Sequence, residues 1–483
     1  MAVQPVSGLL LFGAASKTQT EESKNTRLIG PKLKMPSETD TWRNGKAGST
    51  TVQTLIGGGQ IFSKISEILG KTQQSVYLDM YNFQRPDLYP DRSSPPGTPG
   101  ADIQAGLLNR LLALKKDGHS VKVVLDHHPD PDNNENYNNR TIEALRAGNV
   151  DVVTYPDFSK ISHVKVLIVD NRYAIIGGMN WGNHSAANHD GAVFIEGPDV
   201  ANLVRDIFAA DWESSGGKVS ELDVPDPFKS QKIKVLTTSS QKSVRGEDES
   251  IYEEILSQIN NAQESVHAEL FVLTQTEVVD SLIATHKRLK AAGKEGVKLL
   301  VDPGLYFSFA NSRRGVLQCA KAGIPIRFYE SDRDAEEKLH AKWAVFDRKR
   351  LLMGSANWSS AGLLSDGIPN NPVEAQDFGV TDLLINETQG ATQRKRKTKG
   401  NHEVAVLIDS EKVAAPFVRQ VLYDWKHKSF PILEFRDGAW KPVEPDKKAK
   451  AVATAVATPE LTLAEAHALA SLKGLPSQVA ATF

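Results

Sequence analysis

The chain repeats itself, and that constrains its fold more than any other feature. Residues 61–83 (IFSKISEILGKTQQSVYLDMYNF) align with 251–273 (IYEEILSQINNAQESVHAELFVL). Further on, 107–126 align with 282–302, and 144–156 with 318–330. The first two pairs read as a helix with apolar residues at helical spacing, followed by a short β-branched run. Helices alternating with short strands predict layered α/β units with a largely parallel sheet, and two such units predict a pseudo-symmetric pair of lobes. Repeats of this length are domain duplications rather than solenoid units.

The expected divisions are an irregular arm over 1–50, a first lobe over 51–222, a linker over 223–245, a second lobe over 246–430 and a tail over 431–483. The apolar run KIKVLTT (232–238) is a candidate opening strand for the second lobe, and the tail carries a short helical pattern with Thr462 as N-cap and Glu465 at N3.

Each half holds one copy of a second pattern. The first is HVKVLIVDNRYAIIGGMNW, from His163 to Trp181, and the second is HAKWAVFDRKRLLMGSANW, from His340 to Trp358. The same offset of 177 relates His163 to His340, Lys165 to Lys342, Asp170 to Asp347, Gly178 to Ser355 and Asn180 to Asn357. A histidine and a lysine one residue apart on a strand share a face, about 7 Å apart. Small residues at Gly178 and Ser355 are expected to let backbone amides and the asparagine approach an anionic group. Each lobe then supplies an imidazole, an ammonium and an amide donor, a set suited to a phosphodiester without a metal. One neutral histidine attacks phosphorus, and the other, protonated, serves the leaving alcohol. Lys165, Lys342, Asn180 and Asn357 bind and stabilise the phosphate oxygens.

The doubled motif resembles that of the phospholipase D superfamily, and the resemblance covers roughly residues 51 to 430. In the first copy, IIGGMNWG is similar to cardiolipin-synthase-type and bacterial phospholipase D-type members. The resemblance implies an α/β fold of two pseudo-symmetric lobes, each a mixed, largely parallel sheet flanked by helices. It also implies a phosphohistidine intermediate at one site shared by both motifs, with no cofactor. A downstream acid is expected to orient each imidazole, and Asp190 in NHDGAVFI and Glu403 in NHEVAVLI are the candidates. The same analogy gives Asp170 and Asp347 a fold-holding part within the motif and points to His163 as the nucleophile.

Composition narrows the substrate. Lys plus Arg is 57 against 59 for Asp plus Glu, so no strong overall positive charge argues for nucleic acid. Together with the resemblance of the first motif to cardiolipin synthases, this makes a phospholipid substrate with peripheral membrane contact the first expectation. A metal-independent nuclease of the same superfamily is the alternative, and a noncatalytic phosphate-binding protein comes third. No obligate protein partner is implied. Nothing basic precedes Lys17, so the apolar N-terminus is expected to be mature sequence in a cytoplasmic protein, with secretion left open.

Four other stretches invite a reading. LDHHPDPDNNEN (125–136) reads as a polar loop at a strand's carboxyl end rather than a metal site. The insertion near 364–400 ends in QRKRKTKG, which suits phosphates of lipid or nucleic acid. YNFQRPDLYPDR (81–92) and GLYFSFANSRRG (304–315) mix aromatics with arginines, as a rim admitting a lipid headgroup would. The lone Cys319 reads as packing.

Overall fold

The computed structural model describes residues 34–84, 99–127, 138–155, 161–182, 185–239, 247–332, 337–367, 400–437 and 439–445. Two large sheets carry the duplication. The first contains β1 (Thr39–Arg43), β2 (Ser49–Ile56), β3 (Ser75–Met80), β4 (Ser120–Leu125), β5 (Asp151–Thr154), β6 (Lys165–Val169), β7 (Tyr173–Gly177) and β8 (Gly191–Glu196). Its order is β1-β2-β8-β7-β6-β3-β4-β5.

The second contains β9 (Ile233–Ser239), β10 (Asp248–Glu249), β11 (Ser265–Leu270), β12 (Gly296–Val301) and β13 (Ile326–Tyr329). It continues with β14 (Lys342–Phe346), β15 (Arg350–Gly354), β16 (Glu403–Asp409) and β17 (Ser429–Pro431). Its order is β10-β9-β16-β15-β14-β11-β12-β13-β17, so its seven middle strands repeat the topology of the first sheet.

The sheets are mixed, as expected, but not largely parallel. Only β3–β4–β5 and β11–β12–β13 run parallel. The rest pair antiparallel, because each motif folds as a hairpin, β6–β7 or β14–β15, whose next strand returns beside it. The arm is not irregular throughout, since β1 and β2 begin within it and pair with each other. KIKVLTT forms β9, inside the stretch expected to be linker, and pairs with β16. The tail continues as a hairpin, β18 (Leu433–Arg436) with β19 (Ala439–Pro442), whose Leu433 and Trp440 join the second lobe's core. Thr462 and Glu465 lie outside the described residues.

Three apolar layers hold this together. One backs each sheet under its outer helices, and the third joins the two sheets. Alternation along the strands feeds two layers at once. In β6, Val166 and Ile168 face the joining core while Leu167 and Val169 face the helices. In β14, Trp343 and Val345 face the joining core while Ala344 and Phe346 face away. Val164 and Ala341, between each histidine and its lysine, also enter the joining core. Contact is close there: a Cβ on Gly191 would lie 2.9 Å from the Trp343 ring and 3.0 Å from Phe417. The helix Glu411–His427 crosses the seam, packing on β2 and on β15. Such a joining core makes the lobes one unit rather than two tethered domains.

Candidate active site

The strand starts bring the histidines and lysines together. Lys165 opens β6 and donates to the His163 carbonyl at 2.7 Å; Lys342 opens β14 and donates to the His340 carbonyl at 2.6 Å. Tyr81, just past β3, has its ring 4.9 Å from that of His163 and lies under the Lys165 ammonium at 4.8 Å. Phe271, past β11, does the same for His340 at 4.9 Å and Lys342 at 5.0 Å.

The acids reach across the seam. His163 Nδ1 bonds Glu403 of the second lobe at 2.9 Å, and His340 Nδ1 bonds Asp190 of the first at 2.7 Å. Each motif histidine is therefore oriented by the other lobe's acid, a crossing that repeat alignment alone does not show. Among the described residues neither Nε2 makes a hydrogen bond, so both stay available for chemistry. The halves also feel each other electrostatically. The Lys165, Lys342 and His163 charges all act on His340, and Lys342 acts on His163.

Burial sets the protonation states. It pushes His163 below its usual value, against the pull of Glu403, and pushes His340 well below. Burial also lowers Lys165 well below its usual range and Lys342 to about 8. The two acids diverge. Burial drives Asp190 up to about 7. Burial also pushes on Glu403, but His163, Lys165 and the Ser355 hydroxyl outweigh it and hold that carboxyl below its ordinary value.

Two further pairs of expected site residues stand apart from the reacting groups. Asp170 and Asp347 sit at the far ends of β6 and β14, away from the histidines. Asp170 accepts from the backbone N–H groups of Gln73, Gln74 and Ser75, and Asp347 from those of Gln263, Glu264 and Ser265. Both adopt left-handed backbone, φ 54° and 52°, so they tie turns rather than touch substrate. Gly178 and Ser355 face the acids, not an open phosphate cradle. Ser355 Oγ donates to Glu403 at 2.6 Å, while a Cβ on Gly178 would lie 2.5 Å from Asp190 Oδ1. Asn180 and Asn357 stay beside the motif hairpins, each with a buried side-chain oxygen that has no partner among the described residues.

Sequence reasoning missed a further pair of acids. Asp126 accepts from the Ser162 N–H at 2.8 Å, and Asp302 from the Leu339 N–H at 3.2 Å, so each holds the residue just before a motif histidine. Both end aligned repeat segments, and that was the signal available. His128 and the acids that follow it lie outside the described residues, as does nearly all of the basic insertion. Of the two aromatic stretches, Tyr81 reaches the site and 85–92 lie outside the described residues. Tyr306 and Phe307 are buried in the second lobe's core and form no rim. Cys319 is buried, its thiol pushed up to about 12.

One described cluster, His189, Glu269 and Asp424, has the donor atoms to hold a metal. The Lys34 ammonium already bonds His189 Nδ1 and stands near Glu337, 3.7 Å away. A cation is thus built into the cluster.

A family model described as "Cardiolipin synthase, PLD-like domain" matches residues 65–212 and 255–370, more than half of the chain and one stretch in each lobe. The chain belongs to this family. Cardiolipin synthase B of Escherichia coli K12 is 26% identical over 183 residues, 34% of this chain and 38% of that protein. A cardiolipin synthase of Clostridium perfringens is 24% identical over 336 residues, 63% of each chain. The chain thus spans less than two thirds of the length of these curated relatives. The crystal structure of phosphatidylserine synthase from Haemophilus influenzae superposes with a TM-score of 0.52 at 12% identity, covering 78% of this chain and 86% of that one, and shares its fold.

Proposed function

We propose that the protein cleaves phospholipid phosphodiesters and passes the phosphatidyl group to water or an alcohol, through a phosphohistidine on His163. One observation carries the reading: each motif histidine is gripped at Nδ1 by an acid from the opposite lobe, while neither Nε2 has a partner among the described residues and both lysines act on the pair. The cardiolipin synthase relatives support a phospholipid as the substrate class.

The two pairs differ by one proton near pH 7. With Glu403 held low and His163 lowered, the first pair is a carboxylate and a neutral imidazole, suited to attack. With Asp190 raised to about 7, the second pair keeps an extra proton, and His340 Nε2 is its outlet. His163 Nε2 forms a bond to phosphorus, the bond to the leaving alcohol breaks, and that alcohol takes the proton from the His340–Asp190 pair. The pair then takes a proton from the acceptor, whose oxygen attacks phosphorus and displaces His163. Lys165 and Lys342 offset charge on the non-bridging oxygens, and anionic Glu403 steadies the cationic phosphoimidazole.

Among the described residues no helix is long and apolar enough to cross a membrane. On this reading the enzyme meets its lipid as a peripheral, cytoplasmic protein. The test incubates the protein with chelator on phosphatidylcholine, on phosphatidylglycerol with an added alcohol, and on single-stranded DNA. Headgroup release or exchange without DNA cleavage is expected, and protein quenched in alkaline denaturant, which preserves the phosphorus–nitrogen bond, should carry phosphorus on His163. DNA cleavage alone would move the substrate to nucleic acid, and turnover surviving His163→Ala or His340→Ala would sink the shared site.

A further inference from the structure

Each acid that crosses the seam is preceded by a histidine that the proposed chemistry does not use. His402 precedes Glu403, and His189 precedes Asp190. Both are buried, and each ring is lodged mainly among groups of the opposite lobe.

His402 stacks on Tyr155 of the first lobe, rings 6° from parallel. Its Nε2 bonds Asp211 of that lobe at 2.8 Å, and its Nδ1 donates to the Thr238 carbonyl at 3.1 Å. His189 stacks on Tyr329 of the second lobe at 4.7 Å and tilts against Trp343. Its Nε2 lies 2.6 Å from Glu269 and 3.2 Å from Asp424, while Lys34 of its own lobe donates to Nδ1.

The backbone at these residues completes the grip. The His402 N–H donates to the Ile161 carbonyl, and its own carbonyl accepts from the His163 N–H, both at 2.8 Å. The His189 N–H donates to the Lys338 carbonyl at 2.8 Å, and its carbonyl accepts from the His340 N–H at 2.9 Å. Each histidine–acid dipeptide thus holds a motif histidine twice, by a carbonyl on its N–H and by a carboxylate on its Nδ1. A ring bonded through both nitrogens and stacked on a tyrosine has no second rotamer to visit, so it fixes where both contacts fall.

We propose that His402 and His189 are positioning residues, each locked into the opposite lobe so that the adjoining carboxylate holds His163 or His340 in line for attack or proton transfer. The inference rests on the phosphohistidine reading above.

The test compares His402→Ala, His402→Gln, Asp211→Asn and His163→Ala on a soluble aryl phosphodiester, recording kcat, KM, pH profile and melting temperature. Misplacing a reacting group by about 1 Å costs about a hundredfold, so His402→Ala should lose roughly that in kcat with KM steady. With Glu403 loosened, His163 loses the partner that raises it, so the acidic limb of kcat/KM should move to lower pH. His402→Gln, which restores a donor toward Asp211, should recover about tenfold over His402→Ala at a matching melting temperature.

A folded His402→Ala with wild-type kcat and an unmoved limb, beside an inactive His163→Ala, overturns this inference and leaves the function standing. An active His163→Ala overturns the function itself. If His402→Ala does not fold, Asp211→Asn decides: a loss of about tenfold with the limb moved the same way supports the role, and an unchanged profile refutes it.

Discussion

Glu403 and Asp190 perform the same task from opposite lobes, but they stand in different company. Glu403 accepts from His163, from the Ser355 hydroxyl and from Asn401 at 3.1 Å. Asp190 is held by His340 and the Gly191 N–H at 2.8 Å, with Gly178 where the other lobe has a serine. Burial pushes both up, but at Glu403 the His163 charge and hydrogen bond, then Lys165 and the Ser355 hydroxyl, outweigh it and keep that acid ionised. At Asp190 burial wins over Lys342, the Gly191 N–H and Lys165, and the acid climbs to about 7. A duplicated fold has been given two protonation states by a few side chains around each acid. On the proposed mechanism this difference assigns the nucleophile and the acid in advance, whereas two identical coupled pairs would share one proton between them.

The largest expected effect tests the ionised side. Glu403→Gln leaves His163 without an anionic partner and without a fixed tautomer, a change worth about 10⁴-fold in an established histidine–carboxylate pair. A loss of at least about 10³-fold in kcat is expected here. Asp190→Asn should cost somewhat less, and its signature is the pH profile. In the wild type, activity should fall as pH rises through about 7, as the His340–Asp190 pair gives up its proton. An asparagine cannot hold that proton, and His340 alone sits well below its usual value, so the optimum should move to lower pH. An Asp190→Asn profile matching the wild type would remove the one-proton difference between the lobes.

Gly178→Ala comes next. The new methyl would lie 2.5 Å from Asp190 Oδ1, and that carboxylate can give way only by moving off His340. We expect about a hundredfold loss in kcat, with stability falling by roughly 1–3 kcal/mol as in other overpacked sites. Normal activity with an unchanged melting temperature would show that Asp190 has room to adjust.

Much of this is legible in the sequence. The repeat alignment foretold two lobes, and the motif spacing placed His163 beside Lys165 and His340 beside Lys342, because alternation along a strand is a local rule. The sheet direction departs from expectation because helix–strand alternation governs only β3–β5 and β11–β13, while the motif hairpins and their returning neighbours run antiparallel. The crossing of Asp190 to His340 and of Glu403 to His163 could not be read at all. It depends on how the lobes dock, and each acid follows its own lobe's motif in sequence. Gly178 and Ser355 look alike as small residues; only their distance from an acid separates a required absence of side chain from a required hydroxyl.

Ser355→Ala probes that hydroxyl with the smallest expected effect. It removes a 2.6 Å donation to Glu403 Oε2 and the acceptor of the Val404 N–H, while His163 and Asn401 still bond the carboxylate. A hydrogen bond to a charged group contributes roughly 1.5–3 kcal/mol when lost outright, and with two donors remaining we expect the lower end, about a tenfold fall in kcat. The direction of the pH change is the sharper readout. Glu403 without Ser355 becomes more basic and pulls harder on the His163 proton, so the pair stays protonated to higher pH. The acidic limb of kcat/KM should therefore move up, opposite to the shift expected for His402→Ala, which loosens the same acid instead of making it more basic. If both variants move that limb the same way, Ser355 and His402 share one role, and the ionised state of Glu403 does not come from its donors.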